Sequence, residues 1–332
     1  GGEVGRAPNI VLVVADDLGW GDLGCYGQDQ ISTPVLDRMA AEGMRFTDFY
    51  AGCTVCAPSR SVLMTGKHMG HTYIRGNGGK PLPPEEVTMA EVLKDAGYAT
   101  GGFGKWGLGL PGSVGVPTKQ GFDEFFGFLS QHHAHNHYPS FLFDGEERVE
   151  LSNVVPNEGK HGQGKASEKN EYATDLVFER ARGFIRAHAD DPFFCFLPIT
   201  VPHANNEAGK EGMEVPDYGE YTGKEWRDPE KGYAAMVTNI DAEVGSILEL
   251  LDELGLEEDT LVLFTSDNGS HSEGGYNPNF FDSNGPLRGN KRSLHDGGIR
   301  VPLIARWPGK VPAGVVTDHV SYFGDFFETA AE

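Results

Sequence analysis

Short blocks of apolar residues, each followed by polar residues, recur along the chain. Residues 10–15 form an unbroken apolar run rich in β-branched side chains, which is typical of a buried central strand in a parallel sheet. Similar runs at residues 193–199 and 260–265 predict two more strands, and the glycine-rich segment 99–104 predicts another. The strands are therefore spread over most of the chain.

Capping residues and one-sided apolar patterns predict helices between these strands. The Thr-Pro pair at 33–34 supplies an N-cap and a first helical residue, and this helix should stop at Gly43. The Thr-Met-Ala-Glu sequence at 88–91 is a capping box that begins a second helix. Longer helices are predicted over 174–188 and 233–254, because their apolar residues recur on one face.

The order of the elements predicts the fold class. Strands alternate with helices, which favours an α/β fold with a doubly wound, mostly parallel sheet flanked by helices. The polar stretches 156–171 and 205–232 are expected to be surface insertions rather than linkers. A last helix is expected to begin near Tyr322 and to reach the end of the sequence.

Composition limits the partners. The net charge is -22, from 27 Lys and Arg against 49 Asp and Glu, which disfavours nucleic acid. No run approaches the roughly 20 apolar residues of a transmembrane helix, so no membrane span is expected, and no signal peptide precedes Gly1. Four cysteines do not make a disulfide framework in a chain of 332 residues.

The sequence that begins at Cys56, Cys-Ala-Pro-Ser-Arg-Ser-Val-Leu-Met-Thr-Gly, carries the most specific chemical signal. It resembles the C-x-P-S-R-x-x-L-x-T-G signature of the type I sulfatases. The resemblance implies that a formylglycine-generating enzyme oxidises Cys56 to formylglycine, whose hydrated form attacks sulfur with one hydroxyl and expels sulfate with the other. It also implies a periplasmic or secreted location. The alternative interpretation is a redox C-x-x-C pair formed by Cys53 and Cys56.

Polar residues after two predicted strands suggest a metal site. Asp16 and Asp17 follow the first strand, and Asp267 and Asn268 follow the strand that ends at Thr265. Segments at the carboxyl ends of strands can meet in an open α/β sheet, and oxygen ligands suit Ca²⁺ or Mg²⁺. An Asp-Asp pair alone could be a helix cap or turn. This set resembles the sulfatase calcium site, which implies bound Ca²⁺, with Mg²⁺ as the alternative, next to the modified Cys56.

Other catalytic residues follow from the resemblance. Arg60 lies one helical turn after Cys56, on the same face if Pro58 starts a helix, and its family counterpart binds the hydrated aldehyde and the metal-site carboxylates. The G-K-W-x-L-G segment implies that Lys105 contacts sulfate, and a later segment implies the same of Lys291. An acidic enzyme needs such local cations to hold an anionic substrate. His203, in a Pro-His pair, is expected to protonate the leaving oxygen, and an ordinary loop histidine is the alternative.

One position departs from the family pattern. Many sulfatases have a histidine where this chain has Gly107, and the histidine-rich tract 131–139 offers replacements, among which His135 is our choice. On an extended strand, His133, His135 and His137 would share one side, so the tract could also bind a transition metal. Catalytic or substrate contact is the preferred interpretation, and surface histidines remain an alternative for the rest of the tract.

These signals predict a hydrolase of sulfate monoesters that acts on a sulfated small molecule or saccharide. The pattern from Gln131 to Pro139 resembles that of polysaccharide-degrading microbial sulfatases. The alternatives are a phosphate or phosphonate monoester hydrolase of the related alkaline-phosphatase-like group and a non-catalytic carbohydrate-binding relative. Residues 1–332 are expected to form the large α/β part of a sulfatase, without the small C-terminal subdomain.

Overall fold

In the computed structural model, which describes residues 7–332, a ten-stranded sheet runs through the molecule. The strands are β1 (Asn9–Ala15), β2 (Met44–Phe46), β3 (Phe49–Tyr50), β4 (Ala99–Lys105), β5 (Glu124–Phe128), β6 (Phe141–Asp144), β7 (Glu147–Glu150), β8 (Phe193–Pro198), β9 (Thr260–Ser266), β10 (Leu303–Arg306), β11 (Val315–Thr317) and β12 (Ser321–Tyr322). The α-helices are α1 (Pro34–Glu42), α2 (Cys56–Thr65), α3 (Met89–Asp95), α4 (Ala173–Ala187), α5 (Asp228–Glu253), α6 (Asp296–Ile299) and α7 (Asp325–Ala331).

The centre of the sheet is parallel. Its strand order is β11-β2-β10-β9-β1-β8-β4-β5-β6-β7. The five strands from β9 to β5 pair in parallel, whereas β10 and β6 join their neighbours in antiparallel fashion. The predicted α/β class with a mostly parallel sheet is therefore confirmed, and the antiparallel pairs lie toward the two edges.

Both faces of the sheet are covered by helices. Along β1, Val11 and Val13 contribute to one apolar core, which contains residues of α1, α4 and α5. Leu12 and Val14 point the other way, into a second core with residues of α2, α3 and α7. Since successive side chains of a strand point to opposite faces, a strand buried on both sides must be apolar throughout, as this one is.

The predicted helix boundaries agree closely with the structure in most cases. Helix α1 starts at Pro34 and ends before Gly43, and α3 begins with the reciprocal Thr88–Glu91 capping box. Helix α5 begins at Asp228, earlier than expected, so the end of the supposed insertion 205–232 is its first turn. Helix α7 also differs, starting after Tyr322 because residues 321–322 pair with β3 instead.

Helix α5 extends over 26 residues and packs one face against the sheet. It contains the buried charged residues Glu230 and Asp241. Within residues 7–332, none of the helices combines the length and the apolar character needed to cross a lipid bilayer.

Candidate active site

The candidate catalytic residues lie at the carboxyl ends of neighbouring parallel strands. Asp16 and Asp17 follow β1, Asp267 follows β9, and Lys105 is the last residue of β4. His203 lies on the loop that follows β8. Because the four strands are adjacent and parallel, their ends meet at one edge of the sheet.

Cys56 is the first residue of α2, and every side chain of this helix is buried. One ligand atom from each of Asp16, Asp17, Cys56 and His203 lies within 4.8 Å of the others. Burial and the charge of Asp16 raise the pKa of the Cys56 thiol above its usual range. The thiol is therefore protonated, and this argues against a redox pair with Cys53, because thiolates are the reactive species in such pairs.

Helix α2 also positions Arg60. The helix begins at Cys56, two residues before the Pro58 that was expected to start it. Arg60 is one turn later, and it is 1% exposed. Its Nε donates a hydrogen bond of 3.0 Å to Asp267, and its Nη1 donates to the carbonyl of Lys105. The arginine therefore connects the helix that begins with Cys56 to two strand ends.

Three buried aspartates are each paired with a different buried cation. The sequence predicted local cations at the site of this acidic protein, and they are present. The pairs are Asp16 with Lys105 at 2.6 Å, Asp17 with Lys291 at 2.7 Å, and Asp267 with Arg60 at 2.9 Å.

The charges of the cluster shift one another's pKa. Burial would raise the pKa of Asp16, but Lys105 and the other cations outweigh it and hold this pKa well below its usual range. Burial and the charge of Asp16 instead raise the pKa of Asp267 to about 7, even with Arg60 against it. Burial is the larger cause and the like charge of Asp16 the second, and an additional cation among the carboxylates would oppose both.

Two buried oxygen atoms of the cluster are available to bind a cation. Asp16 Oδ1 and Asn268 Oδ1 are buried and have no hydrogen-bond partner among the described residues. The Asn268 amide is oriented by Nδ2, which donates to Asp17 Oδ1 at 2.6 Å, so its oxygen is left free. Hard oxygen donors of this kind suit Ca²⁺ or Mg²⁺, so the residues present fit the expected metal.

His203 is held in one tautomer. Its Nδ1 lies 2.7 Å from the carbonyl of Ala204 and donates to it, and its Nε2 lies 3.1 Å from Lys291 Nζ and accepts from it. Burial and the charge of Lys291 lower the pKa of His203 well below its usual value. The imidazole is therefore neutral at rest, and any proton given to a leaving oxygen has to come through Lys291.

Glu273 belongs to the site, although the sequence did not indicate it. Its carboxylate lies 3.4 Å from Lys291 Nζ and 2.6 Å from Arg292 Nη2. Burial would raise its pKa, but Lys291 and Arg292 lower the pKa of Glu273 to about 2. No motif surrounds this residue; it approaches Lys291 because the backbone N–H of Lys291 bonds to the Ser270 carbonyl and closes the intervening loop.

The histidine tract is not an extended strand, and the expectation of a shared side was wrong. Residues 133–135 form a 3₁₀ turn, so side chains no longer alternate. His133 and His137 are fully buried, and each bonds through Nε2 to a backbone carbonyl, of Phe141 and His203 respectively. Burial lowers the pKa of both. They are structural histidines rather than surface ones.

His135 lies beside His203. Its ring stacks on that of His203 at 5.1 Å between centroids, and its Nδ1 is 3.2 Å from Glu207. The side chain that lies over Gly107 is instead that of Gln131, the first residue of the 131–139 pattern, for which the sequence predicted no role of its own. The role of His135 at the modified nucleophile stays a prediction.

Known proteins resemble this chain over most of its length. A sequence model of the family described as "Sulfatase" matches residues 8–332. N-acetylgalactosamine-6-sulfatase of Canis lupus familiaris is 36% identical over 345 residues, covering 98% of this chain and 62% of the relative. Arylsulfatase A of Homo sapiens is 36% identical over 343 residues, covering 96% of this chain and 62% of the relative. The chain thus spans about 62% of the length of these curated relatives.

A solved structure agrees with these sequence matches. The crystal structure of Ps i-CgsB in complex with k-i-k-neocarrahexaose superposes with a TM-score of 0.80 at 29% identity, covering 98% of this chain and 71% of that one. With a family match from residue 8 to residue 332, this chain belongs to the sulfatase family.

Proposed function

We propose that this protein hydrolyses sulfate monoesters of saccharides and that a formylglycine-generating enzyme converts Cys56 to formylglycine. The observation that carries the proposal is the position of Cys56, with its reactive atom within 4.8 Å of ligand atoms of Asp16, Asp17 and His203. An unmodified thiol with a raised pKa would be a poor nucleophile there. Formylglycine supplies, when hydrated, two hydroxyls on one carbon, one for attack on sulfur and one for release of sulfate.

The buried cations bind and orient the sulfate. Each ammonium has three N–H donors. Lys105 is anchored by the Asp16 carboxylate, so donors remain for a sulfate oxygen, whereas Lys291 already contacts Asp17, Glu273 and His203 and binds sulfate by exchanging one of these contacts. Fixed donors in a site that excludes water stabilise the charge that develops during transfer without having to reorganise. Arg60, held by Asp267, keeps the start of α2 beside these cations.

The pair formed by Lys291 and His203 supplies the proton for the leaving oxygen. The Lys291 ammonium donates to His203 Nε2 at 3.1 Å, while Nδ1 of the same ring is already occupied by a carbonyl. A proton can therefore reach the leaving alcohol from the ammonium directly or through Nε2, and the pair regains it from water. Sugar alcohols are poor leaving groups, so this proton matters most for a saccharide.

The metal site consists of Asp16, Asp17, Asp267 and Asn268. Ca²⁺ or Mg²⁺, when bound there, supplies positive charge that polarises a sulfate oxygen. Asp16 and Asn268 each contribute a buried oxygen that accepts no hydrogen bond from the described residues. The pairing of each aspartate with a cation keeps the carboxylates close together despite their mutual repulsion.

A saccharide is the substrate class that the relatives support. One relative at 36% identity is named for N-acetylgalactosamine 6-sulfate chemistry, and a solved relative is described in complex with k-i-k-neocarrahexaose. The family resemblance supports a periplasmic or secreted location for this activity. The maturation enzyme is the one protein partner that the mechanism requires.

A specific observation raises phosphate or phosphonate monoester hydrolysis as a second candidate. Ligand atoms of Asp17, His271 and Glu273 lie within 4.8 Å of one another and could hold a second metal ion. Lys291 competes with that arrangement, because its ammonium is 2.7 Å from Asp17 and 3.4 Å from Glu273 and already supplies positive charge there. A phosphatase of this group would need a second metal ion where Lys291 lies, so the position of Lys291 favours the sulfatase.

The full-length protein, produced with and without a formylglycine-generating enzyme, tests the proposal. Mass spectrometry of the tryptic peptide 46–60 should show an aldehyde at Cys56 and an alkylated thiol at Cys53, which is a control within the same peptide. The aldehyde-bearing protein should hydrolyse 4-nitrophenyl sulfate faster than 4-nitrophenyl phosphate, and Cys56→Ala should abolish turnover while keeping the melting temperature. Full activity with an unmodified Cys56, or faster phosphate hydrolysis, would contradict the proposal.

A further inference from the structure

A cavity of about 250 Å³ lies beside the nucleophile, separate from the cluster of carboxylates. Asn77 is part of its wall and accepts a hydrogen bond of 3.0 Å from the N–H of Ala57, the residue after Cys56. Gly107, two residues after Lys105, forms another part of the wall. The cavity wall is therefore one hydrogen bond away from the residue that follows Cys56, and it includes a residue two positions after Lys105.

Gln131 presents an unsatisfied amide to this cavity. The residue is 8% exposed and lines the cavity. Its Nε2 and its Oε1 are both buried, and neither has a hydrogen-bond partner within residues 7–332. Buried amides of native proteins almost always have partners, so an amide with two unpaired atoms at a cavity points to a ligand that completes its hydrogen bonds.

Gly107 makes room for that amide. Its φ is +77°, a conformation that L side chains rarely adopt, and an added Cβ would lie 1.9 Å from Gln131 Nε2. A side chain at 107 and the present position of the Gln131 amide are therefore mutually exclusive. This chain lacks the histidine that many sulfatases have at position 107, and the Gln131 amide occupies the space that such a side chain would need.

The rest of the cavity wall combines glycines and two leucines with the polar side chains of Ser130, His132 and His161. His132 and His161 stack their rings at 6.1 Å between centroids, and His132 is 5.7 Å from His135. His135 in turn stacks on His203, so a row of imidazoles leads from the cavity to the leaving-group side. No Lys, Arg, Asp or Glu is among the described lining residues, which favours a neutral hydroxylated group over a second anion.

We propose that Gln131 is a specificity-determining residue that binds hydroxyl groups of the sugar ring bearing the sulfate ester. An amide can donate and accept at once, as two neighbouring hydroxyls require. The volume is below the roughly 300–1,000 Å³ of pockets for drug-sized ligands, so the cavity suits a single ring. This inference rests on the proposed sulfatase function and adds which residue distinguishes a saccharide from other sulfate esters.

The test compares two kinds of substrate in the full-length, aldehyde-bearing protein. The saccharides are the 6-sulfates of galactose, N-acetylgalactosamine and glucosamine, and the reference is 4-nitrophenyl sulfate, which has no ring hydroxyls. Gln131→Ala should lower kcat/KM on the best saccharide about 10- to 100-fold, as expected for two lost hydrogen bonds, and on the aryl sulfate by less than about threefold. Gln30→Ala, at an exposed glutamine, should change neither.

Two further variants separate recognition from folding. Gln131→Met keeps the volume of the side chain without its hydrogen bonds and should show the same selective loss if Gln131→Ala folds poorly. Gly107→Ala should displace the amide and lower saccharide turnover in the wild-type background. In the Gln131→Ala background it should lower that turnover much less, because the displaced group is gone; this double-mutant cycle measures the coupling of the two positions.

The outcomes distinguish the role of Gln131 from the sulfatase function itself. A loss confined to saccharides supports the inference. Equal losses on both substrate types, no loss on either, or a wild-type protein that hydrolyses the aryl sulfate but none of the three saccharides would overturn it and leave the sulfatase function standing. A protein that carries the aldehyde and hydrolyses no sulfate ester at all would overturn the proposed function, and this inference with it.

Discussion

At the scale of single residues, the buried ammonium of Lys291 contacts three polar groups of the site. Its ammonium contacts Asp17, Glu273 and Nε2 of His203 at once. Burial opposes its charge, but the two carboxylates outweigh burial and raise the pKa of Lys291. A charge that is buried and paired in this way stays protonated, so under the proposed function Lys291 holds the proton that the leaving oxygen needs and binds sulfate by exchanging one of these contacts.

Replacement of His203 should separate leaving groups. In His203→Ala, kcat/KM should fall about 100- to 10,000-fold on a sulfated sugar but less than about tenfold on 4-nitrophenyl sulfate, since a nitrophenolate needs little protonation as it departs. His188→Ala, at the end of α4, is the matched control and should leave both rates unchanged. Steady-state kinetics measure the two ratios, and equal losses would remove the leaving-group role.

Replacement of Asn268 should weaken metal binding. Asn268→Ala removes an amide oxygen with no other described partner, so the affinity for Ca²⁺ should fall at least about tenfold. The measurement is the rise in melting temperature on titration with Ca²⁺, since a ligand that binds only the folded state stabilises it. Asn277→Ala, at an exposed turn, is the control. If thorough chelation changed neither the melting temperature nor the activity of the wild type, the metal assignment would be wrong.

At the scale of elements, short helices with defined ends position the site. Helix α2 places Cys56 in its first turn, where the Ala57 N–H is bound by Asn77 and the Gly52 N–H by Ser59 Oγ. Helix α3 packs in the same apolar core, and the reciprocal hydrogen bonds of Thr88 and Glu91 stabilise its N-terminus. Since a helix of seven residues is not stable alone, its caps and its buried face decide whether it forms.

Removal of the α3 cap should destabilise the whole fold. The Thr88 hydroxyl accepts from the Glu91 N–H and donates to the Gln120 carbonyl, and Thr88 is fully buried. Thr88→Ala should therefore lower the free energy of unfolding by about 1–3 kcal/mol. Urea denaturation measures the change, and Thr222→Ala, at an exposed threonine, should stay within about 0.5 kcal/mol of the wild type. Equal stability of the Thr88 variant would show that the cap contributes little.

At the scale of the whole molecule, charge is distributed unevenly. The chain carries a net charge of -22, yet Arg60, Lys105 and Lys291 are buried together at one edge of the sheet. For the proposed sulfate ester, the acidic surface would repel the substrate at a distance, whereas the buried cations would attract it at short range, where little solvent screens them. Binding thus depends on entry into the site rather than on long-range attraction.

Another buried carboxyl links two distant parts of the fold. Asp22, after β1, accepts hydrogen bonds from the Gly19 N–H and from the Tyr233 hydroxyl of α5. Burial raises the pKa of Asp22 from its ordinary 3.8 to about 7, although these hydrogen bonds oppose the shift. Folding therefore takes up a proton between pH 4 and pH 7, and the stabilisation present below about pH 4 is lost as the pH rises through 7.

The amide variant Asp22→Asn should reduce this pH dependence, because it resembles the protonated carboxyl at every pH. Its loss of unfolding free energy between pH 4.5 and pH 8 should be smaller than that of the wild type by on the order of 1–4 kcal/mol. Urea denaturation at both pH values gives the comparison. Asp29→Asn removes the same charge at an exposed position and should follow the wild type. An unchanged pH dependence in Asp22→Asn would show that Asp22 is ionised in the folded protein.

The sequence by itself determined the features that depend on neighbouring residues. The apolar run of β1, the Pro34 and Gly43 boundaries of α1 and the Thr88 capping box are local patterns, and each was predicted within a residue or two. The motif around Cys56 and the polar residues after strand ends could be identified for the same reason. Parallel order then implied that those residues would meet, since adjacent parallel strands end at one edge.

Only the tertiary structure decided the contacts between segments that are distant in sequence. His137 bonds to the carbonyl of His203, 66 residues away, and Glu273 reaches Lys291 through a closed loop, so neither contact leaves a local signal. The 3₁₀ turn of the histidine tract and the placement of Gln131 over Gly107 likewise depend on how that segment packs against the end of β4. Side-chain positions in loops follow from packing and burial in three dimensions, whereas strands and caps follow from the backbone preferences of adjacent residues.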